Sequence, residues 1–170
     1  MKLVSKGDGI ILTDFDEVDA LRLAMKLEKD GIKYYSELEA KSQGAEIKKT
    51  FSRFVKEESR HLEKFGGWLE SLGVEADKGD EEELFDFIDT GVFGDIWKTE
   101  ESLKKIRTDL DAISLGEWAE LNSINFYKAM YEKTAGGPGK KILKDIIAEE
   151  QEHLKAFIRY KGLLEKGEKC

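Results

Sequence analysis

The stretch Glu57-Glu58-Ser59-Arg60-His61 recurs as Glu149-Glu150-Gln151-Glu152-His153, at an offset of 92 residues, and the two stretches use both histidines of the chain. At the same offset Glu28 meets Glu120 and Tyr35 meets Tyr127. Apolar pairs match as well: Ala20/Ala112, Leu23/Leu115, Ile32/Ile124, Leu62/Leu154, Phe65/Phe157 and Leu72/Leu164. The chain reads as one unit written twice, at about 16–72 and 108–164, with 73–107 as the joint. Each copy holds a Glu, then Glu-x-x-His.

Residues three apart are neighbours on one helix face, so Glu-x-x-His presents two donors side by side. A Glu on each of two helices plus Glu-x-x-His on each of two others is the ligand set of a two-metal carboxylate bundle. The candidate metal ligands are therefore Glu28, Glu58, His61, Glu120, Glu150 and His153. With 38% charged residues, one such motif could arise by chance on a solvated face. Two copies in register, with two further glutamates, are far harder to obtain that way.

The turns add a geometric test. Glu28 and Glu58 centre on Gln43-Gly44, and Glu120 and Glu150 centre on Ala135-Gly136. Residues equidistant from the turn of an antiparallel helix pair lie at one height. Each glutamate stands 15 residues from its turn, or about 22 Å at 1.5 Å per residue. Four carboxylates buried at one level without cations would cost several kcal/mol each. Mixed carboxylate and imidazole donors suit iron or manganese and also accept zinc.

Hydrophobic periodicity places these residues inside apolar stripes. The first helix runs Leu21, Ala24, Glu28, Gly31 or Ile32, Tyr35, Leu38, with Thr13, Asp14 and Asp16 as candidate N-caps. The second runs Phe51, Phe54 or Val55, Glu58, His61 or Leu62, Phe65, Leu69, Leu72, and Gly73 is its stop signal. The third runs Ile113, Gly116 or Glu117, Glu120, Ser123 or Ile124, Tyr127, Met130. The fourth, opening near Pro138, runs Leu143, Ile146, Glu150, His153, Phe157, Tyr160, Leu164. Residues 1–13 form a loose or short-stranded leader. In the joint, Leu84 to Ile88 is apolar enough for a short helix, either covering the core or forming a dimer surface. Trp97 to Leu110 reads as a lead-in helix.

Around the six donors, Glu57 and Glu149 can each accept from the far ring nitrogen of a ligand histidine. Tyr35 and Tyr127 lie seven residues after Glu28 and Glu120, within reach of carboxylate oxygens. They also read as ordinary core tyrosines, since a buried tyrosine seeks a partner in any case.

Composition bounds the rest. At 170 residues the chain fits a single domain, 1–170, with a real core. A net charge of −8 and a pI near 5.0 argue against nucleic acid or an anionic membrane surface as partner. The one cysteine, Cys170, permits no intrachain disulfide. There is no signal-peptide run and no span of ~18 apolar residues, so a cytoplasmic location is expected. One proline leaves room for long helices.

These residues resemble the rubrerythrin branch of the ferritin-like superfamily, over roughly residues 16–165. The likeness rests on the doubled Glu … EExxH and on ALRLAMKLEKDGIKYY and AELNSINFY. It implies an all-α, ferritin-like antiparallel four-helix bundle with a long crossover between the second and third helices. It implies two iron ions, with Glu58 and Glu150 bridging and Glu28, His61, Glu120 and His153 terminal. It also implies a peroxidase that reduces hydrogen peroxide. Dioxygen is the other candidate substrate, and a homodimer is expected. A rubrerythrin commonly carries a rubredoxin-like domain with paired CxxC motifs. None occurs here, so the electrons are expected from a separate donor such as a rubredoxin. Glu117-x-x-Glu120 resembles an extra glutamate that rubrerythrins use on changing redox state, which makes Glu117 a conditional ligand or else a surface charge. Its counterpart in copy one is Met25. The rival readings are a ferritin-like ferroxidase in iron storage or oxidative-stress protection, and a metal-free structural bundle.

Overall fold

The computed structural model describes residues 2–6, 9–13, 17–74, 100–134 and 136–167. Four long helices carry it: α1 (Glu17–Lys41), α2 (Ala45–Ser71), α4 (Asp109–Lys133) and α5 (Pro138–Glu165), with a short α3 (Glu100–Lys104) ahead of α4. The single proline does not interrupt any of them, because it opens α5, where a missing N–H costs nothing. α1 packs on α2 and α4 on α5, while α1 also meets α4 and α2 meets α5. This is the all-α bundle expected, with the long crossover running from the end of α2 to α4. Among the described residues no helix is long and apolar enough to cross a membrane.

The turns lie where the glycines are. Only Ser42 to Gly44 separates α1 from α2. α2 has no side-chain cap of its own. Asp109, at the start of α4, supplies one by accepting from Gln43 N at 2.6 Å and Gly44 N at 2.8 Å. Gly73, at φ +75°, follows the end of α2. Gly136 and Gly137, at φ +126° and +85°, turn the chain into α5 through backbone that other residues rarely adopt.

The lead-in to α4 differs from expectation. The expected helix over Trp97 to Leu110 is broken by Lys105–Thr108. Thr108 is an N-cap in extended backbone, φ −132° and ψ 161°, so no helix can run through it. Asp111 N donates to Thr108 Oγ1 at 3.2 Å, and Thr108 N donates back to Asp111 Oδ2 at 2.8 Å. This reciprocal capping box starts α4. The leader is the short-stranded alternative: β1 (Lys2–Lys6) pairs antiparallel with β2 (Gly9–Thr13), with Val4 opposite Ile11. Asp14, Asp16 and the apolar run 84–88 lie outside the described residues. Thr13 ends β2, and α1 starts at Glu17.

The core is two apolar layers. One holds Leu21, Ala24 and Leu27 of α1, Phe65, Trp68 and Leu69 of α2, Tyr127 and Met130 of α4, and Leu143 and Ile146 of α5. The other holds Tyr34, Tyr35 and Leu38 of α1, Ile47, Phe51 and Phe54 of α2, Leu103 and Ile106 ahead of α4, Ala112, Ile113 and Ala119 of α4, and Phe157 of α5. On every helix the interval between the two layers is where the glutamates and histidines fall. Packing is tight enough that two contacts admit only glycine: a Cβ on Gly139 would stand 1.8 Å from the Trp68 ring, and one on Gly116 2.5 Å from Phe157.

Candidate metal centre

Each of the four long helices turns one apolar stripe inward, and one position of each stripe is a glutamate. Glu28, Glu58, His61, Glu120, Glu150 and His153 are all buried, none more than 5% exposed. They form two groups that share Glu58 and Glu150. In one, donor atoms of Glu28, Glu58, His61 and Glu150 all lie within 4.8 Å of one another; in the other, those of Glu58, Glu120, Glu150 and His153 do. The two imidazoles lie on either side, 6.3 Å apart between ring centroids. His61 Nδ1 is 3.1 Å from Glu150 Oε1 and 3.6 Å from Glu28 Oε2 and from Glu58 Oε2. His153 Nδ1 is 3.0 Å from Glu150 Oε2, 3.3 Å from Glu120 Oε1 and 4.0 Å from Glu58 Oε1. The two oxygens of Glu150, and those of Glu58, thus face different histidines.

Closeness here is not hydrogen bonding. His61 Nδ1, His153 Nδ1, both Glu150 oxygens, Glu28 Oε2 and Glu120 Oε2 have no partner in acceptable geometry. Leaving a buried polar group unsatisfied costs about 1–3 kcal/mol, and more when it is charged. Six such atoms aimed at two shared points are the donor set that two divalent cations would satisfy. The residues fit a pair of metal ions.

The outward atoms are held, and held crosswise. Tyr35 Oη on α1 donates to Glu120 Oε1 on α4 at 2.6 Å. Tyr127 Oη on α4 donates to Glu28 Oε1 on α1. Each tyrosine therefore fixes the carboxylate of the other copy. The histidines are also met crosswise: His61 Nε2 is hydrogen-bonded to Glu149 Oε2 at 3.1 Å, and His153 Nε2 makes a close ion-pair contact with Glu57 Oε2 at 2.6 Å. A carboxylate against Nε2 places the proton there and leaves the Nδ1 lone pair facing inward. Phe54 stacks on His153 with centroids 4.2 Å apart, which fixes the ring plane.

The electrostatics show a layer short of positive charge. Burial, then repulsion from Glu150, pushes the carboxyls of Glu58 and Glu120 well above the usual range. Burial acts the same way on Glu150, but His153 and His61 outweigh it and hold that group below the usual range. Both imidazoles are raised: burial opposes it, but the carboxylates around them prevail. Glu149, at the edge, is carried down to about 2, because hydrogen bonds from Lys64 and His61 outweigh its partial burial. Where several charges of one sign share a dry site, protons or cations must fill it.

Glu117 is not brought into either group. It is part-buried and its carboxylate takes a hydrogen bond from Lys161 Nζ, across from α5. Sequence reasoning missed this lysine, and it missed the cations around Glu149. Arg60 Nη2 lies 2.6 Å from Glu149 Oε2, and Lys64 Nζ 2.8 Å from Glu149 Oε1. Glu57, Arg60 and Lys64 follow three- and four-residue spacing. The signal was a second stripe on α2, next to the ligand stripe.

Comparison with known proteins agrees with this geometry. The rubrerythrin family model matches residues 19–161. A candidate ferritin-like diiron-carboxylate protein from Thermotoga maritima has a similar crystal structure, with a TM-score of 0.63 and 28% sequence identity. That similarity covers 85% of this chain and 93% of the other. No curated protein matches the chain. The family match takes in all six inward-facing Glu and His residues and most of each long helix that carries them, and the chain belongs to the rubrerythrin family.

Proposed function

We propose that the protein is a non-haem di-iron oxidoreductase that reduces hydrogen peroxide with electrons from a separate donor protein. The observation that carries this reading is the set of unpartnered inward atoms on Glu28, His61, Glu120, Glu150 and His153, gathered with Glu58 into two donor groups. Glu28, Glu58, His61 and Glu150 would hold one ion, and Glu58, Glu120, Glu150 and His153 the other. When bound, such a pair of ions supplies the two electrons by which one peroxide and two protons become two waters. The chain's own part is positioning. Tyr35 and Tyr127 each tie down one oxygen of a terminal carboxylate and leave the other free. Glu57 and Glu149 keep each ring proton on the outer nitrogen. The apolar layers on both sides exclude water, so fixed donors act in a low dielectric. With one cysteine and no CxxC in these 170 residues, the electrons are assigned to an external protein such as a rubredoxin.

The test is anaerobic. Protein loaded with Fe(II) is mixed with peroxide and an excess of reduced rubredoxin. Catalytic oxidation of the rubredoxin, many equivalents per chain, is expected. Iron that oxidises once and then accumulates without turnover would instead indicate ferroxidase or storage chemistry.

A further inference from the structure

The two half-sites share their donor types but not their surroundings. Glu149, which holds His61, is clamped by Arg60 at 2.6 Å and Lys64 at 2.8 Å. Among the described residues, Glu57, which lies against His153, has one cation within 4 Å, Arg53 of its own helix at 3.7 Å, and feels Arg60 only at longer range. The counterparts of Arg60 and Lys64 in the second copy are Glu152 and Ala156. Glu152 is itself paired with Lys155. Among the described residues the two-cation clamp therefore exists on one side only. Elsewhere each terminal glutamate takes one tyrosine hydroxyl and the extra Glu117 is matched by Lys161, while the uncharged difference is Phe54, stacked on His153, whose counterpart is Ile146.

An outer carboxylate makes a ligand imidazole more basic by pulling on its N–H. Two cations on that carboxylate spend much of its charge and weaken the pull. They also stand near the His61 ion and repel it. Both effects act in one direction. We infer that the two metal positions bind unequally: the His153 position fills first, and Arg60 and Lys64, acting through Glu149, weaken the His61 position. This rests on the two-metal reading but not on any reaction.

The probe is Mn(II) alone, titrated at low ionic strength into the full chain, with free Mn(II) read by paramagnetic resonance. Two steps separated by about tenfold in Kd are expected, the scale on which such outer partners act. Anomalous scattering from crystals holding one equivalent should place the ion beside His153. Arg60→Gln, at an exposed position, with Lys64→Gln, at a half-buried one, should tighten the second step and bring the two within about twofold. Glu152→Arg, which offers Glu57 the counterpart of Arg60, should weaken the first step and leave the second. First occupancy beside His61, equal steps in the parent, or an unchanged gap in the double variant would each overturn the inference while the two-metal reading stands. No Mn(II) binding at all would overturn both.

Discussion

In the apolar layer around Phe51, Phe54 and Phe157, the Phe157 ring packs against the other two with centroids 4.9 and 5.7 Å apart, and rings of carbon leave water without leaving a polar atom unsatisfied. Along the same helices, the layer holding Glu58, His61, Glu150 and His153 is just as buried, yet both Glu150 oxygens and the Nδ1 atoms of both histidines are left without partners. Helix, burial and depth are the same; only the chemistry of the side chains differs. Burying an aromatic ring is favourable by about 1.5–3 kcal/mol. Burying an unpaired charge is unfavourable unless something outside the chain compensates. The apolar layers hold the fold, and the central layer uses part of that stability to keep a binding site ready.

The largest effect should come from the apolar side. Phe157→Ala leaves a cavity against Phe51, Phe54 and Tyr35, and should lose about 3–5 kcal/mol in chemical denaturation whether or not metal is present. A loss below about 1 kcal/mol would mean that this layer is not what stabilises the protein.

The central layer should respond with the opposite sign. In metal-free protein, Glu58→Leu should raise stability by about 1–4 kcal/mol, since it removes a buried carboxylate beside Glu28 and Glu150. In the parent, Mn(II) at a hundredfold over its Kd should add about 2.7 kcal/mol per site. Glu58→Leu should lose that gain. Tyr35→Phe should keep most of it, since its hydroxyl orients Glu120 but touches no ion in this reading. If Glu58→Leu destabilises the metal-free chain, the contrast between the layers fails.

The smallest effect lies outside both layers. Thr108→Ala removes one half of the capping box of α4 and should cost about 1 kcal/mol, with no change in metal binding. Weaker Mn(II) binding in that variant would show that the start of α4 sets the height of Glu120.

Much of this was legible in the sequence. The level of the four glutamates followed from counting residues to Gln43-Gly44 and Ala135-Gly136, because helix rise is constant and both turns are short. The stripes of Leu21 to Leu38 and Phe51 to Leu69 followed from period. What could not be read was contact between helices that are far apart in sequence. Spacing put Tyr35 near Glu28, but the hydroxyl goes across the bundle to Glu120. Which neighbour a side chain reaches depends on how α1 and α4 face each other, and one-dimensional spacing does not contain that. The Glu117–Lys161 pair was missed for the same reason. The break before α4 had a local signal in Thr108 and Asp111, but with Asp in place of the usual Glu or Gln three residues into the helix it was easily passed over.

The cap on α2 bears on how far the two copies are independent units. The oxygens that satisfy Gln43 N and Gly44 N belong to Asp109, the first residue of α4. A fragment holding only α1 and α2 would begin its second helix with those amides open to solvent, and Tyr35 would have lost Glu120. A fragment holding α4 and α5 would keep its own capping box but lose Glu28 for Tyr127. Neither half is a complete module, and the dependence is lopsided, because the first hairpin needs the second even to start a helix well.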